Sequence, residues 1–112
     1  MTAARIRAHI KARRLRERFF DPALFADPVW DILLDLAASK LEERPVSVSS
    51  LCIAASVPTT TALRSIKAMV ERGLLKRNSD PADARRTFIG MTAQTDSAMA
   101  GCLEVVLNTP GL

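Results

Sequence analysis

Three carboxylates stand four residues apart at Asp27, Asp31 and Asp35. On a helix that spacing aligns them in one row. Such a row can hold a metal ion or serve acid–base chemistry. No second ligand type lies nearby in sequence, so the preferred reading is a solvated face with acids favourably placed near a helix N-terminus. A third reading is that the row docks a basic helix, from the same chain or from a partner. Other ingredients of catalysis are scarce. His9 is the sole histidine and lies among bases, which excludes a multi-histidine metal site. No nucleophile–base–orienter set is visible. The four glycines form neither G-x-G-x-x-G nor G-x-x-x-x-G-K, so nothing argues for a phosphate-cradling loop. Cys52 and Cys102 form no C-x-x-C motif and no disulfide framework, which makes a reducing compartment the simpler assumption. Cys52 sits in the apolar run from Leu51 to Ala55 and reads as a buried structural thiol rather than a redox switch. The sequence implies no enzyme, no catalytic residue, no metal and no cofactor.

The bases are the more informative chemistry, because they are segregated. Residues 1–20 hold seven bases against Glu17, a net of +6. Residues 21–43 hold six acids against Lys40, a net of −5. Residues 44–92 hold eight bases and three acids, a net of +5, and the last twenty residues carry Asp96 and Glu104. The formal total of +4 is therefore a remainder. Alternating blocks point to a polyanion partner or to internal docking of basic on acidic elements. At 112 residues, with 48% hydrophobic and 25% charged residues, the chain fits one ordinary globular domain with a helical extension. A chain of this size buries roughly 65% of its unfolded surface. No apolar run approaches the ~18 residues of a membrane span.

The elements that must position these groups are mostly helical. Residues 3–20 lack Gly and Pro and predict a basic helix with a thin stripe of Ala8, Ala12, Leu15 and Phe19, broken by Asp21-Pro22. Ile6 and Ile10, with Leu15 and Phe19, are candidate contacts to a partner chain. The Arg-rich start also resembles an organelle presequence, although it lacks serine. Asp27 as N-cap and Pro28 at the first position start a second helix to about Glu43, with Trp30, Leu33, Leu34, Ala37 and Leu41 on its buried face. Pro45 ends it. Val46-Ser47-Val48 reads as extended, and Ser49 or Ser50 caps a short helix through Ser56. Thr59 opens a helix that ends near Arg72 at Gly73, with Ala62, Ile66, Met69 and Val70 inward. Its outer face shows Thr60, Arg64 and Lys67. Helix, short turn and a second helix with a basic outer face form a helix-turn-helix arrangement. Two short strands then flank the polar segment from Asn78 to Arg86. Thr92 caps a last helix over about 93–107, with Ala98, Cys102, Val105 and Val106 as its apolar positions, and Asn108-Thr109-Pro110-Gly111 ends it.

The run from Arg64 to Thr92 resembles the MarR-type winged helix-turn-helix regulators. The resemblance rests on Gly73-Leu74, the basic Arg77, the D-P-x-D-x-R wing pattern at Asp80, Pro81, Asp83 and Arg85, and the exit Ile89, Met91 and Thr92. It covers about residues 46–92 well and the helix 29–43 loosely. It implies a mainly α fold with a small β-wing: a basic N-terminal helix at 1–20 for dimerisation or DNA backbone contact, a DNA-binding domain at 21–92, and a short C-terminal helix and tail at 93–112. Members of the family usually carry long N- and C-terminal helices that build a dimer and often a small-ligand pocket. This chain has one N-terminal helix and a short C-terminal one, so a small-molecule effector is left open. The resemblance implies a cytoplasmic bacterial regulator, associated with the nucleoid when bound to double-stranded DNA as a homodimer.

The residues themselves carry a DNA-binding argument. The N-terminal end of a recognition helix reaches deepest into the major groove. That nominates Thr59, Thr60, Thr61 and Arg64 for base edges, and Lys67, one turn on, for a phosphate. The resemblance places Arg85 in the adjacent minor groove, with Arg86 as a neighbouring contact and Asp83 holding the wing arginine. Roughly six to eight bases per protomer would meet phosphates, which predicts steep salt dependence. The alternative is a winged-helix protein–protein interaction module whose basic N-terminal helix docks an acidic partner, since fold does not fix function.

Overall fold

Asp27 starts the helix around which everything else packs. In the computed structural model, which describes residues 1–110, its side chain accepts a bond from the backbone N–H of Trp30 at 3.3 Å and Pro28 occupies the first helical position. The element order is α1 (Ala3–Leu15), two short 3-10 turns (Arg16–Arg18 and Pro22–Phe25), α2 (Pro28–Leu41), β1 (Val46–Ser47), α3 (Val48–Ala54), α4 (Thr59–Glu71), β2 (Leu75–Ser79), β3 (Thr87–Met91) and α5 (Ala93–Val106). The strands form one antiparallel sheet in the order β1-β3-β2. Its register pairs Val46 with Ile89 and Lys76 with Gly90. This is the expected helical architecture with a small β-wing.

Helix α2 is buried on two sides rather than one. Ile32 and Leu36 join Leu51, Ile66, Leu75 and Ile89 in the core beneath α3, α4 and the sheet. Leu34, Ala37 and Ala38 join Ile6, Met99 and Leu103 in a second core beneath α1 and α5. The single face expected from periodicity is corrected accordingly: Trp30 and Leu33 are half-buried, and Leu41 is exposed. A helix shared by two cores lacks a clean one-sided stripe.

Local chemistry sets the boundaries. Helix α2 ends before Pro45, because Glu43 takes a left-handed conformation (φ 55°) and the Arg44 N–H donates to the Ser39 carbonyl at 2.9 Å. Ser47, not Ser49 or Ser50, caps α3, its side chain accepting from the Ser50 N–H at 3.2 Å. Gly73 (φ 75°) closes α4 as expected. The Leu74 N–H returns to the Met69 carbonyl and the Gly73 N–H to that of Val70, at 2.9 and 3.0 Å, the bond pair of a Schellman end. Thr92 caps α5 and also donates to the Gly73 carbonyl at 2.9 Å, tying the start of α5 to the end of α4.

The terminal helices depart furthest from expectation. Helix α1 stops at Leu15, not near 20. Ala8, Ala12, Leu15 and Phe19 are exposed, whereas Ile6 is fully buried. On α5 the inward positions are Thr95, Met99 and Leu103; Ala98, Cys102 and Val105 face outward and Val106 is half-buried. Both stripes were too weak in apolar residues to define a register. Gly111, part of the expected terminating segment, lies outside the described residues.

Candidate nucleic-acid interface

Helix α4 anchors itself through small and apolar residues, with Ala62, Ile66 and Met69 buried. That leaves Thr59, Thr60, Thr61, Arg64 and Lys67 exposed. Pro58 precedes the helix and offers no side-chain cap, so the first N–H groups of α4 have no capping side chain. The tight turn before it uses Ser56 in a left-handed conformation (φ 55°). The α3–α4 corner presents hydroxyls and two cations along an outer helix face, with Arg64 and Lys67 forming no ion pair among the described residues.

The wing is a built loop, not a slack one. Asp80 Oδ1 accepts the Ala82 N–H at 2.8 Å, and the Asp80 N–H donates to the Arg86 carbonyl at 3.1 Å. Asp83 Oδ1 accepts both the backbone N–H and the Nε–H of Arg85, at 3.0 and 3.2 Å. The backbone bond from Arg85, with its guanidinium second, holds the Asp83 carboxyl below its ordinary 3.8. Arg85 is steadied at its base while its side chain stays 93% exposed. Arg86 is exposed too and lies 3.9 Å from Asp80 Oδ2. The expected residues therefore form two groups, one along α4 and one at the wing tip, joined through the Gly73 corner and β2. Asp80 organises the loop as much as Asp83 does; its place before proline was the available signal.

The basic N-terminus is arranged quite differently. Asp31, with its side chain only 3% exposed, meets Arg13 Nε at 3.0 Å and Arg14 Nη2 at 2.7 Å. Arg7 bonds Asp35 at 2.6 Å, Glu42 at 2.8 Å and the Ser39 hydroxyl at 3.1 Å. The bond from Arg7 holds the Glu42 carboxyl below its ordinary 4.5. Arg14 also reaches Glu17 at 2.8 Å. Arg16 lies over the Phe25 ring, 4.5 Å from its centroid. Arg5 donates to Asn108 and to the Leu107 carbonyl. Lys11 and Arg18 are exposed and form no ion pair among the described residues. The carboxylate row is thus a docking strip for α1 of the same chain. The solvated-face reading is corrected for Asp31 and Asp35, while Asp27 serves as the N-cap. Hydrophobic periodicity could not reveal this pairing; the opposed charge blocks could.

Cys52 is buried, as expected, and Cys102 is exposed. No group of three or more His, Cys, Asp or Glu among the described residues could hold a metal ion. No helix among them is long and apolar enough to cross a membrane.

A helix-turn-helix whose outer helix is cationic, followed by a two-stranded wing with a protruding arginine, defines a winged helix protein. The chain belongs to the winged helix DNA-binding domain family, whose model matches residues 30–95. It is 33% identical over 66 residues to the transcriptional regulator HosA of Escherichia coli O111:H-, a match covering 58% of this chain and 49% of HosA. It thus spans about half the length of that curated relative. The fold is that of S. aureus MepR in its DNA-binding conformation, with TM-score 0.62, 19% identity, and 85% of this chain and 65% of MepR covered. MarR shares it at TM-score 0.55 and 20% identity, over 91% of this chain and 69% of MarR. The MarR-like architecture expected from the wing motif is the one found.

Proposed function

We propose that this protein is a sequence-specific, double-stranded DNA-binding transcriptional regulator acting as a homodimer. Helix α4 enters the major groove, where Arg64 reads guanine edges, Thr59, Thr60 and Thr61 meet base methyls or phosphates, and Lys67 meets a phosphate. Arg85 enters the neighbouring minor groove, oriented by Asp83, with Arg86 beside it. The observation that carries this reading is the contrast between the exposed cations of α4, Arg64 and Lys67, which have no acid partner among the described residues, with the wing arginines still exposed beside Asp80 and Asp83, and Arg7, Arg13 and Arg14 of α1, which are paired with acids on and just after α2. The name of HosA and the DNA-binding conformation of MepR support it. Residues 21–92 are the DNA-binding part in this reading. Residues 1–20 clasp it through the α1–α2 ion pairs, and α5 completes the second core through Met99 and Leu103. The exposed Phe19, Phe20 and Leu24 offer apolar surface to a second protomer. The interaction-module alternative loses its main support, because the acidic partner of α1 is α2 of its own chain.

The test is selection of bound sequences from a random duplex pool, followed by salt titration on the selected site. The expected product is a palindrome with half-sites about 10 bp apart. Arg64→Ala and Arg85→Ala should each weaken binding. Unchanged affinity in both variants overturns the assigned geometry.

A further inference from the structure

Internal pairing leaves two cations over on the turn that follows α1. Arg16 and Arg18 are both exposed, and neither forms an ion pair among the described residues. Glu17 stands between them, but its carboxylate is taken by Arg14 at 2.8 Å and by the Ser56 hydroxyl, which donates to Oε1 at 3.4 Å. The next acid, Asp21, turns its Oδ1 to the Ala23 N–H at 3.0 Å. Arg16 donates from Nε to the Arg13 carbonyl at 3.3 Å and lies over the Phe25 ring, which Phe20 meets edge-on at 5.7 Å. An aromatic face steadies a guanidinium without neutralising its charge.

Ser56 fixes where this turn sits. It precedes Thr59, the first residue of α4, by three positions. At most ~11 Å of chain therefore separates the Glu17 contact from the end of α4 assigned to the major groove. That groove is about 12 Å wide, and phosphates border it on both sides. A cation beside the inserted end of a groove-filling helix faces the bordering strand. Arg16 and Arg18 flank the residue that touches the α3–α4 turn. Arg5, at the other end of α1, is bonded instead to Asn108 and the Leu107 carbonyl.

We propose, on the DNA-binding reading above, that Arg16 and Arg18 bind backbone phosphates outside the bases read by α4. The turn after α1 then widens the contact with the duplex and adds no base discrimination.

The test compares the full chain with R16A/R18A and R18A on the selected duplex. The slope of log affinity against log salt should fall by about two in the double variant and by about one in R18A. Between about 50 and 200 mM salt the parent should lose about tenfold more affinity than R16A/R18A. Preference among bases should be unchanged, and trimming the duplex flanks should weaken the parent but not the double variant. Arg5→Ala, which removes a charge at the far end of α1, should keep the parent's slope. Unfolding midpoints establish that each variant is folded; if the double variant is not, R18A decides. An unchanged slope in R16A/R18A, while Arg64→Ala still weakens binding, overturns this proposal alone. So does an equal fall in Arg5→Ala, which is a net-charge effect, or a loss that disappears once the protein is fully dimeric, which assigns the two arginines to the contact between protomers. No effect of Arg64→Ala or Arg85→Ala overturns the DNA-binding geometry and this proposal with it.

Discussion

Helix α1 and the α4–wing region are both rich in arginine, yet their arginines do opposite things. Arg7, Arg13 and Arg14 lie against Asp31, Asp35 and Glu42 on a neighbouring helix of the same chain. Arg64 and Lys67 have no acid partner among the described residues, and Arg85 meets Asp83 through its backbone N–H and Nε–H while its side chain stays 93% exposed. Net charges of +6 and +5 in the two blocks look alike in composition. Partners distinguish them. A guanidinium engaged by a buried carboxylate is no longer available to a phosphate, whereas an exposed one is. Positive charge in a sequence is thus a census of candidates, and the interface is what remains after internal pairing.

The comparison can be broken most sharply at Asp31. Asp31→Ala strips Arg13 and Arg14 of their shared carboxylate, and Arg13 already has a buried Nη2 without a partner. Loss of one member of a buried ionic group costs about 3–5 kcal/mol. Urea unfolding should show that loss, while the DNA affinity of the folded protein stays close to that of the parent. An equal fall in both would mean that α1 belongs to the DNA surface after all. The reverse pattern is expected of Arg64→Ala: about 1–3 kcal/mol of binding to the selected site, with discrimination at one base relaxed. Its unfolding midpoint should not move.

A finer separation comes from salt. Lys67→Ala should lower the slope of log affinity against log salt by about one, as expected for a phosphate contact. Arg7→Ala should leave the slope alone and lower stability instead. The smallest effect concerns His9. Burial first, then the charges of Arg13 and Arg16, hold its pKa below the ordinary 6.5. The unfolded chain therefore binds the proton more readily, so stability is full above pH 6.5 and declines as pH falls from there towards the lowered folded value. His9→Gln should remove that decline. The carboxyls of Glu42 and Asp83 are depressed in the fold, so their contributions persist through pH 4.5 and 3.8 and are lost only below.

Much of the helix-turn-helix and wing was readable residue by residue. Gly73 announced the end of α4 because a left-handed cap favours glycine. Asp27-Pro28 announced the start of α2, and the spacing of Ala62, Ile66 and Met69 assigned the outer face of α4. What failed lay at the ends. Ala8 and Ala12 mimic an apolar stripe without burying much surface, so the true register of α1, set by Ile6 and the ion pairs, was hidden. On α5 the scattered small residues Ala98 and Cys102 drew attention from Met99 and Leu103. Glu43 and Ser47 were missed because the one closes its helix in a left-handed conformation and the other sits before two equally plausible caps, Ser49 and Ser50.

The sequence by itself determined the winged helix frame, the outer face of α4 and the wing loop, because caps, turns and short-range periodicity are local and act within a few residues. Only tertiary structure decided which charges are free. Pairing Asp31 with Arg13 and Arg14, or Asp35 with Arg7, depends on how α1 lies across α2. That placement is fixed by burial of Ile6 in a core shared with α5, a contact between chain ends that no local pattern encodes.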